Sequence, residues 1–257
     1  MAGSGLNPLG RFSDRVADYV RYRPTYPAAL RETLRDRAGL GPASAVADVG
    51  SGTGIFTRLL LGVAGRVFAV EPNAAMRAAA EAELGVLPGF TSIAGSAEAT
   101  GLPDQSVGLV TCAQAFHWFD PIATRREFQR ILAPAGGCAL IWNTAVRTGA
   151  FAQGYEEIKE RFGTDFGAVR HEHLTSEERF GPFFGPAGWE RLAFANAQVL
   201  DWPGLRGRLL SSSYAPAAGQ PGHGPMLAAL RELFDRCQED GAIRMEYTTE
   251  LFFGRFS

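Results

Sequence analysis

A chain of 257 residues, 46% of them hydrophobic, can bury one large core, and no apolar run in it reaches the length of a membrane span. Lys and Arg (25) nearly balance Asp and Glu (27), leaving a net charge of -2 and no basic field to draw in nucleic acid. Three cysteines, Cys112, Cys138 and Cys237, stand far apart and form no Cys-x-x-Cys pair for zinc, and their odd count speaks against a disulfide framework; no metal is expected.

The opening Met-Ala-Gly-Ser-Gly lacks the form of a signal peptide, so a cytoplasmic chain without a membrane partner is expected. Arg11 to Tyr22 carries Phe12, Val16, Tyr19 and Val20 at helical spacing. Arg23-Pro-Thr-Tyr-Pro27 stops that helix, and Pro27 opens the next one, Ala28 to Ala38. Strand and helix then alternate: strand 45–49, helix 55–63, strand 66–70, helix 73–83, a short strand 90–93, strand 107–112, helix 121–132 and strand 137–142. Such alternation predicts an α/β fold, a parallel sheet with helices on both faces, with ligands bound beyond the carboxyl ends of the strands. Gly149 to Phe162 reads as a helix. Thr164 to Gly188 is rich in Gly, Pro, Phe and His without a period, and is a candidate lid or a plain surface insertion. Strand character returns over 189–202, a helix follows over 225–238, and a last strand runs from Met245 to Phe256.

The most informative stretch is Asp48-Val-Gly50-Ser51-Gly52-Thr-Gly54, which joins the first strand to a helix beginning near Ile55. Glycine suits such a turn because it tolerates positive φ and has no Cβ to hold a ligand off the backbone. Glu71 ends the next strand, where a carboxylate meets the ribose of a bound nucleoside. Dinucleotide enzymes want Gly-x-Gly-x-x-Gly; here Ile55 takes the place of the third glycine. Asp48 would repel a pyrophosphate but could help to hold an ammonium group or the glycine loop. A ribose, an adenine and an amino-acid tail together describe S-adenosylmethionine.

The segment resembles motif I of the class I S-adenosylmethionine-dependent methyltransferases. Gly95-Ser-Ala-Glu-Ala-Thr-Gly-Leu-Pro103 is similar to the loop after the third strand in the methyltransferase type 11 branch. There a polar residue and the next backbone amide read the adenine edge. Ser96 holds that position in place of the more usual Asp. Ala113-Gln-Ala-Phe-His-Trp-Phe-Asp120, the N-terminal Tyr19…Arg23-Pro-x-Tyr-Pro27 and the ending Glu246 to Arg255 resemble the group that includes trans-aconitate methyltransferases. The resemblance implies a Rossmann-like seven-stranded sheet in one domain over 1–257. Its parts would be an N-terminal helical cover (11–38), a cofactor core (40–145), a cap insertion (146–188) and a strand-helix-strand end (189–257). It also implies methyl transfer to a small-molecule acceptor, with S-adenosylhomocysteine as the other product. A nicotinamide oxidoreductase and a non-catalytic cofactor binder remain the alternatives.

On this resemblance the cofactor residues are Tyr19, Arg23, Asp48, Gly50, Ser51, Gly52, Gly54, Glu71, Pro72, Ser96, Ala97, Glu98, Ala113 and Gln114. Arg23 suits a carboxylate of the cofactor or of an acidic substrate, or is a surface residue before a proline. His117 is either a general base beside the acceptor or a packing partner of Trp118. His171 and His173 flank Glu172 and read as solvated loop residues. The acceptor and the oligomeric state have no signature in the sequence.

Overall fold

A computed structural model describes residues 20–164, 177–212 and 214–256. Seven strands form one sheet: β1 (Ala45–Val49), β2 (Arg66–Val70), β3 (Phe90–Ile93), β4 (Val107–Ala113), β5 (Leu132–Ala145), β6 (Trp189–Asp201) and β7 (Ala242–Gly254). Their order is β3-β2-β1-β4-β5-β7-β6. The first five run parallel, and β7 lies antiparallel between β5 and β6. The helices are α1 (Ala28–Ala38), α2 (Ile55–Leu61), α3 (Ala74–Leu84), α4 (Pro121–Ile131), α5 (Ala150–Phe162), α6 (Glu177–Phe184), α7 (Trp202–Leu210) and α8 (His223–Cys237). This is the expected seven-stranded Rossmann-like sheet.

Period-two alternation sorts the strand residues into two cores. Ala47, Val49, Val110, Cys112, Leu140 and Trp142 face Phe116, Phe128 and the phenylalanines of α6. Val46, Val67, Leu109 and Ile141 face Leu30, Leu34, Phe56 and Leu60 of α1 and α2. A third cluster lies at one end, where α5, α7 and α8 pack on Leu200 of β6 and on Ile243, Met245 and Tyr247 of β7.

Helix ends follow local chemistry. Asp120 caps α4 by accepting from the Ile122 and Ala123 N–H groups, with Pro121 in the first turn. Gly39, at φ 64°, ends α1.

Two helices depart from the sequence expectation. The stretch read as irregular, 164–188, contains α6 despite Gly181-Pro182. Phe180, Phe183 and Phe184 are all but fully buried, and each such burial stabilises by about 1.5–3 kcal/mol. Arg125 Nη1 donates to the Phe183 carbonyl at 2.8 Å, closing the helix end. Those contacts outweigh the helix bond lost at Pro182. The unforeseen α7 starts where Asp201 accepts from the Gly204 N–H at 2.8 Å. β5 also runs beyond the expected 137–142 at both ends, pairing with β4 at Leu132 and with β7 from Cys138 to Ala145.

Candidate active site

The turn after β1 is built of three residues in the left-handed region: Gly50, Gly52 and Gly54 at φ 70°, 56° and 82°. At Gly54 a Cβ would stand 2.5 Å from Leu84 Cδ1, so this glycine lets α3 close on the turn. At Gly52 the nearest atom to a Cβ is Met76 Sδ at 3.7 Å, and the residue faces a cavity instead. The Gly50 and Ser51 N–H groups donate to the Val70 carbonyl at 2.9 and 3.2 Å, which ties the turn to the end of β2.

Two buried carboxylates hold this corner. Glu71 Oε2 accepts from the Gly52 N–H at 2.9 Å, and Oε1 accepts from the Asn73 N–H at 2.8 Å. Burial pushes the Glu71 pKa up, against the pull of those two N–H donors and of Arg77. Asp48 faces α2 and β4, accepting from Thr57 Oγ1 at 2.6 Å and Thr111 Oγ1 at 2.9 Å. Burial raises its pKa to about 6; the two hydroxyls oppose the shift and the Glu71 charge adds to it. Asn73 accepts from the Ala75 and Met76 N–H groups and so starts α3 beside the carboxylates.

These groups open on a cavity of about 320 Å³. Of the sequence-predicted residues, Asp48, Gly50, Ser51, Gly52, Glu71, Pro72, Ser96, Ala97, Glu98, Ala113 and Gln114 line it together. Ser96 and Ala99 exchange backbone bonds in a tight turn, and Glu98 Oε1 accepts from the Asp120 N–H at 3.1 Å. Gln114 adopts φ 57°, a left-handed conformation few non-glycine residues take, directly after β4. Its N–H donates to the Ile141 carbonyl at 2.8 Å and its Nε2 to the Asn143 carbonyl at 3.0 Å. Those two bonds hold the strained residue at the cavity wall.

Gly54 stands behind the wall. Arg23 also lies off it, with Nη2 donating to the Ser211 carbonyl at 2.9 Å. His117 sits on a single 3-10 turn, Phe116–Trp118, its ring centre 4.8 Å from that of Trp118; the indole lines the cavity and the imidazole does not. Tyr19, His171 and His173 lie outside the described residues. Among the described residues no group of three His, Cys, Asp or Glu side chains is placed to hold a metal, and no helix is long and apolar enough to cross a membrane.

Sequence reasoning did not assign Tyr26, Thr53, Asn73, Met76 or Phe119 to the wall. Thr53 and Asn73 are sequence neighbours of the predicted residues, so adjacency was the available signal. Tyr26 arrives through its edge contact with Phe56, ring centres 4.9 Å apart, which has no local signature.

The cavity suits a nucleoside with a charged tail. Glu71 supplies acceptors for a ribose, and Pro72, Met76, Ala97 and Phe119 supply apolar surface for a base. Asp48 supplies negative charge under the turn, and Thr53 Oγ1 is a buried polar atom with no hydrogen-bond partner.

Residues 47–140 match the family model described as methyltransferase domain. A methyltransferase-like protein of Schizosaccharomyces pombe is 34% identical over 158 residues, which is 61% of this chain and 60% of that protein. A methyltransferase of Mycobacterium tuberculosis is 36% identical over 169 residues, 66% of this chain and 65% of its own. The chain thus spans under two thirds of these relatives. A solved structure from Anaeromyxobacter dehalogenans, assigned as a type II methyltransferase, aligns with a TM-score of 0.64 at 26% identity, over 91% of this chain and 98% of its own. A methyltransferase assigned to an antibiotic biosynthesis pathway in Anabaena variabilis shares the fold, with a TM-score of 0.61 at 21% identity, over 92% and 99%.

Proposed function

We propose that this chain, whose residues 47–140 match the methyltransferase-domain family model, transfers the methyl group of S-adenosyl-L-methionine to a small-molecule acceptor. Glu71 carries this reading. Its carboxylate stands at the end of β2 beside the glycine turn, and each oxygen spends one lone pair on a backbone N–H. The remaining lone pairs suit the two ribose hydroxyls.

Bound, the cofactor supplies a methyl group activated by its sulfonium. The chain's part is to bind, to align and to keep water away. Ser96 and the Ala97 N–H would meet the adenine edge, between Pro72 and Phe119. Asp48, mostly ionised at neutral pH, would draw the ammonium end toward the turn. Ala113 and Gln114 would stand beside the methyl group, with Gln114 held in place by the Asn143 carbonyl. His117 needs no proton-transfer role here, since its ring packs on Trp118 off the cavity wall. A nicotinamide dinucleotide has less support: Ile55 replaces the third glycine of its pattern, and Asp48 lies under the turn where a pyrophosphate would rest.

Thermal unfolding tests the cofactor. S-adenosylhomocysteine should raise the melting temperature by mass action, and NAD should not. Stabilisation by NAD with none by S-adenosylhomocysteine overturns the proposal. Transfer of labelled methyl to a screen of acids, phenols and amines then separates an enzyme from a silent binder.

A further inference from the structure

An edge strand keeps half of its backbone groups unspent, and the two edges of this sheet are unequal. At one edge β3 is short, Phe90–Ile93. At the other, β6 runs for 13 residues, and among the described residues no strand pairs with its outer side. Proteins blunt such edges with charge, proline or a bulge. Leu192-Ala-Phe-Ala-Asn-Ala-Gln-Val-Leu200 has no charged residue and no proline, and its register with β7 is unbroken.

The ladder fixes which groups turn outward. The Val146 N–H donates to the Glu246 carbonyl at 2.9 Å, so even-numbered residues of β7 bond toward β5. Its odd-numbered residues then bond toward β6, where their partners are even-numbered: Thr249 pairs with Phe194 and Tyr247 with Asn196. Arg191, Ala193, Ala195, Ala197, Val199 and Asp201 therefore aim their N–H and C=O groups away from the sheet. Their side chains share one face, and all but Ala197 are exposed, Val199 by 67%. The Ala197 N–H is spent locally, on Asn196 Oδ1 at 2.9 Å.

The order of these side chains is self-complementary. Antiparallel pairing of two copies about Asn196 sets Arg191 opposite the partner's Asp201, Ala193 opposite the partner's Val199 and Ala195 opposite the partner's Ala197. Moving the two-fold one residue toward the start of β6 sets Arg191 against Val199 instead. Moving it one residue toward the end sets Ala193 against Asp201. The register about Asn196 is thus the one of these three that matches the charges, and it does so twice. Both groups have capacity left: Asp201 Oδ1 accepts from the Gly204 N–H, and Arg191 gives Nε and Nη2 to Glu250, which leaves Asp201 Oδ2 and Arg191 Nη1. Such a ladder makes about a dozen backbone hydrogen bonds, close to the number a typical interface carries.

We propose that the outer edge of β6 binds a second copy of this chain, the two β6 strands joining antiparallel about a two-fold axis at Asn196 into one continuous sheet. A two-fold contact uses the same surface on both copies and closes, so a long open edge is covered without starting a fibre. No residue of β6 lines the cofactor cavity, so each copy keeps its own cavity whole. The inference stands apart from the methyl-transfer reading.

Sedimentation velocity on the full chain tests it. Wild type should be a dimer at about 0.1 mM and should dissociate on dilution. Val199→Glu puts a carboxylate on the edge, beside Arg244 of its own β7 and opposite the partner's Ala193. It should weaken the dimer by about tenfold or more. Adding Ala193→Lys sets a lysine against each new glutamate, beside Glu250 of its own β7, and should restore the dimer to within about threefold of wild type. Both positions are exposed, so the fold of either variant is not at stake. Hydrogen exchange adds a residue-by-residue readout. The Ala193, Ala195 and Val199 N–H groups should exchange more slowly as concentration rises, while those of Phe194 and Asn196, already bonded to β7, should not change. A wild-type monomer at about 0.1 mM, a dimer undiminished by Val199→Glu, or a double variant that stays monomeric overturns the proposal.

Discussion

The corner at Gly50 to Glu71 and the cluster of Arg208 on α7 with Tyr155, Tyr214 and Tyr247 are both polar and both buried, but they settle their charges differently. At the first, Glu71 and Asp48 each have two donors supplied by the chain itself. At the second, a guanidinium and a phenol keep donors in reserve. The first is a preformed cradle that a ligand enters; the second carries the cost of donors left unmet. Preorganisation of the first kind suits a cofactor common to many enzymes.

The largest effect is expected in the aromatic core on one face of the sheet. Phe180 of α6 packs on Phe252 and Trp142, with ring centres 4.6 and 5.7 Å away, and is 1% exposed. Phe180→Ala should cost about 3–5 kcal/mol in urea unfolding. A loss under about 1 kcal/mol would make α6 a loosely held flap.

Asp48 offers the next effect. Its carboxyl titrates near pH 6 when folded and near 4 when unfolded, so the folded state binds the proton more tightly. The stability it contributes is full below about pH 4 and is lost as pH rises through about 6, roughly 3 kcal/mol in all. Asp48→Asn has no such titration. Wild-type stability, measured relative to this variant, should therefore decline between pH 4 and 7. Saturating S-adenosylhomocysteine should shrink that decline if its ammonium docks on Asp48. A flat difference would mean that the carboxyl is better solvated than its burial implies.

The smallest effect sharpens the ribose contact. Glu71→Ala should weaken S-adenosylhomocysteine binding by roughly 10- to 150-fold, the worth of hydrogen bonds to a charged group. It should also loosen the turn, because the Gly52 and Asn73 N–H groups lose their acceptor. Affinity within about twofold of wild type would remove Glu71 from the cofactor site.

Legibility in the sequence followed the range of the interactions. β1 and β2 have the bounds that short, mostly apolar runs between turn residues foretell, and β3 lies where the short strand 90–93 is expected. The glycine turn and Glu71 were visible because strand, turn and acid lie within about thirty residues, the size of one βαβ unit. Cys112 of β4 and Cys138 of β5 are fully buried, their thiols pushed up in pKa by burial. α6 was hidden because Gly181-Pro182 argues against a helix locally, and the three phenylalanines that outweigh it find their partners far along the chain. α7 had a signal in Asp201-Trp-Pro203, a cap followed by a first-turn proline, but it lay inside what reads as a strand end. The Arg208 cluster had only Arg23, which reads as suited to a carboxylate. Its members come from positions 23, 155, 208, 214 and 247, and only the sheet order brings them together.

That order has a consequence for synthesis. β7 is made last among the strands, yet it belongs between β5 and β6. Until it leaves the ribosome, β5 ends the growing sheet with a bare edge, and β6 has no neighbour at all. Both offer open backbone groups to any passing strand. The cofactor corner, complete once β5 has paired, can settle while translation continues; Tyr155 and Arg208 must wait for Tyr247. A nascent chain stalled before residue 242 should therefore hold a nucleoside with the Arg208 cluster still unformed, and be a substrate for chaperones.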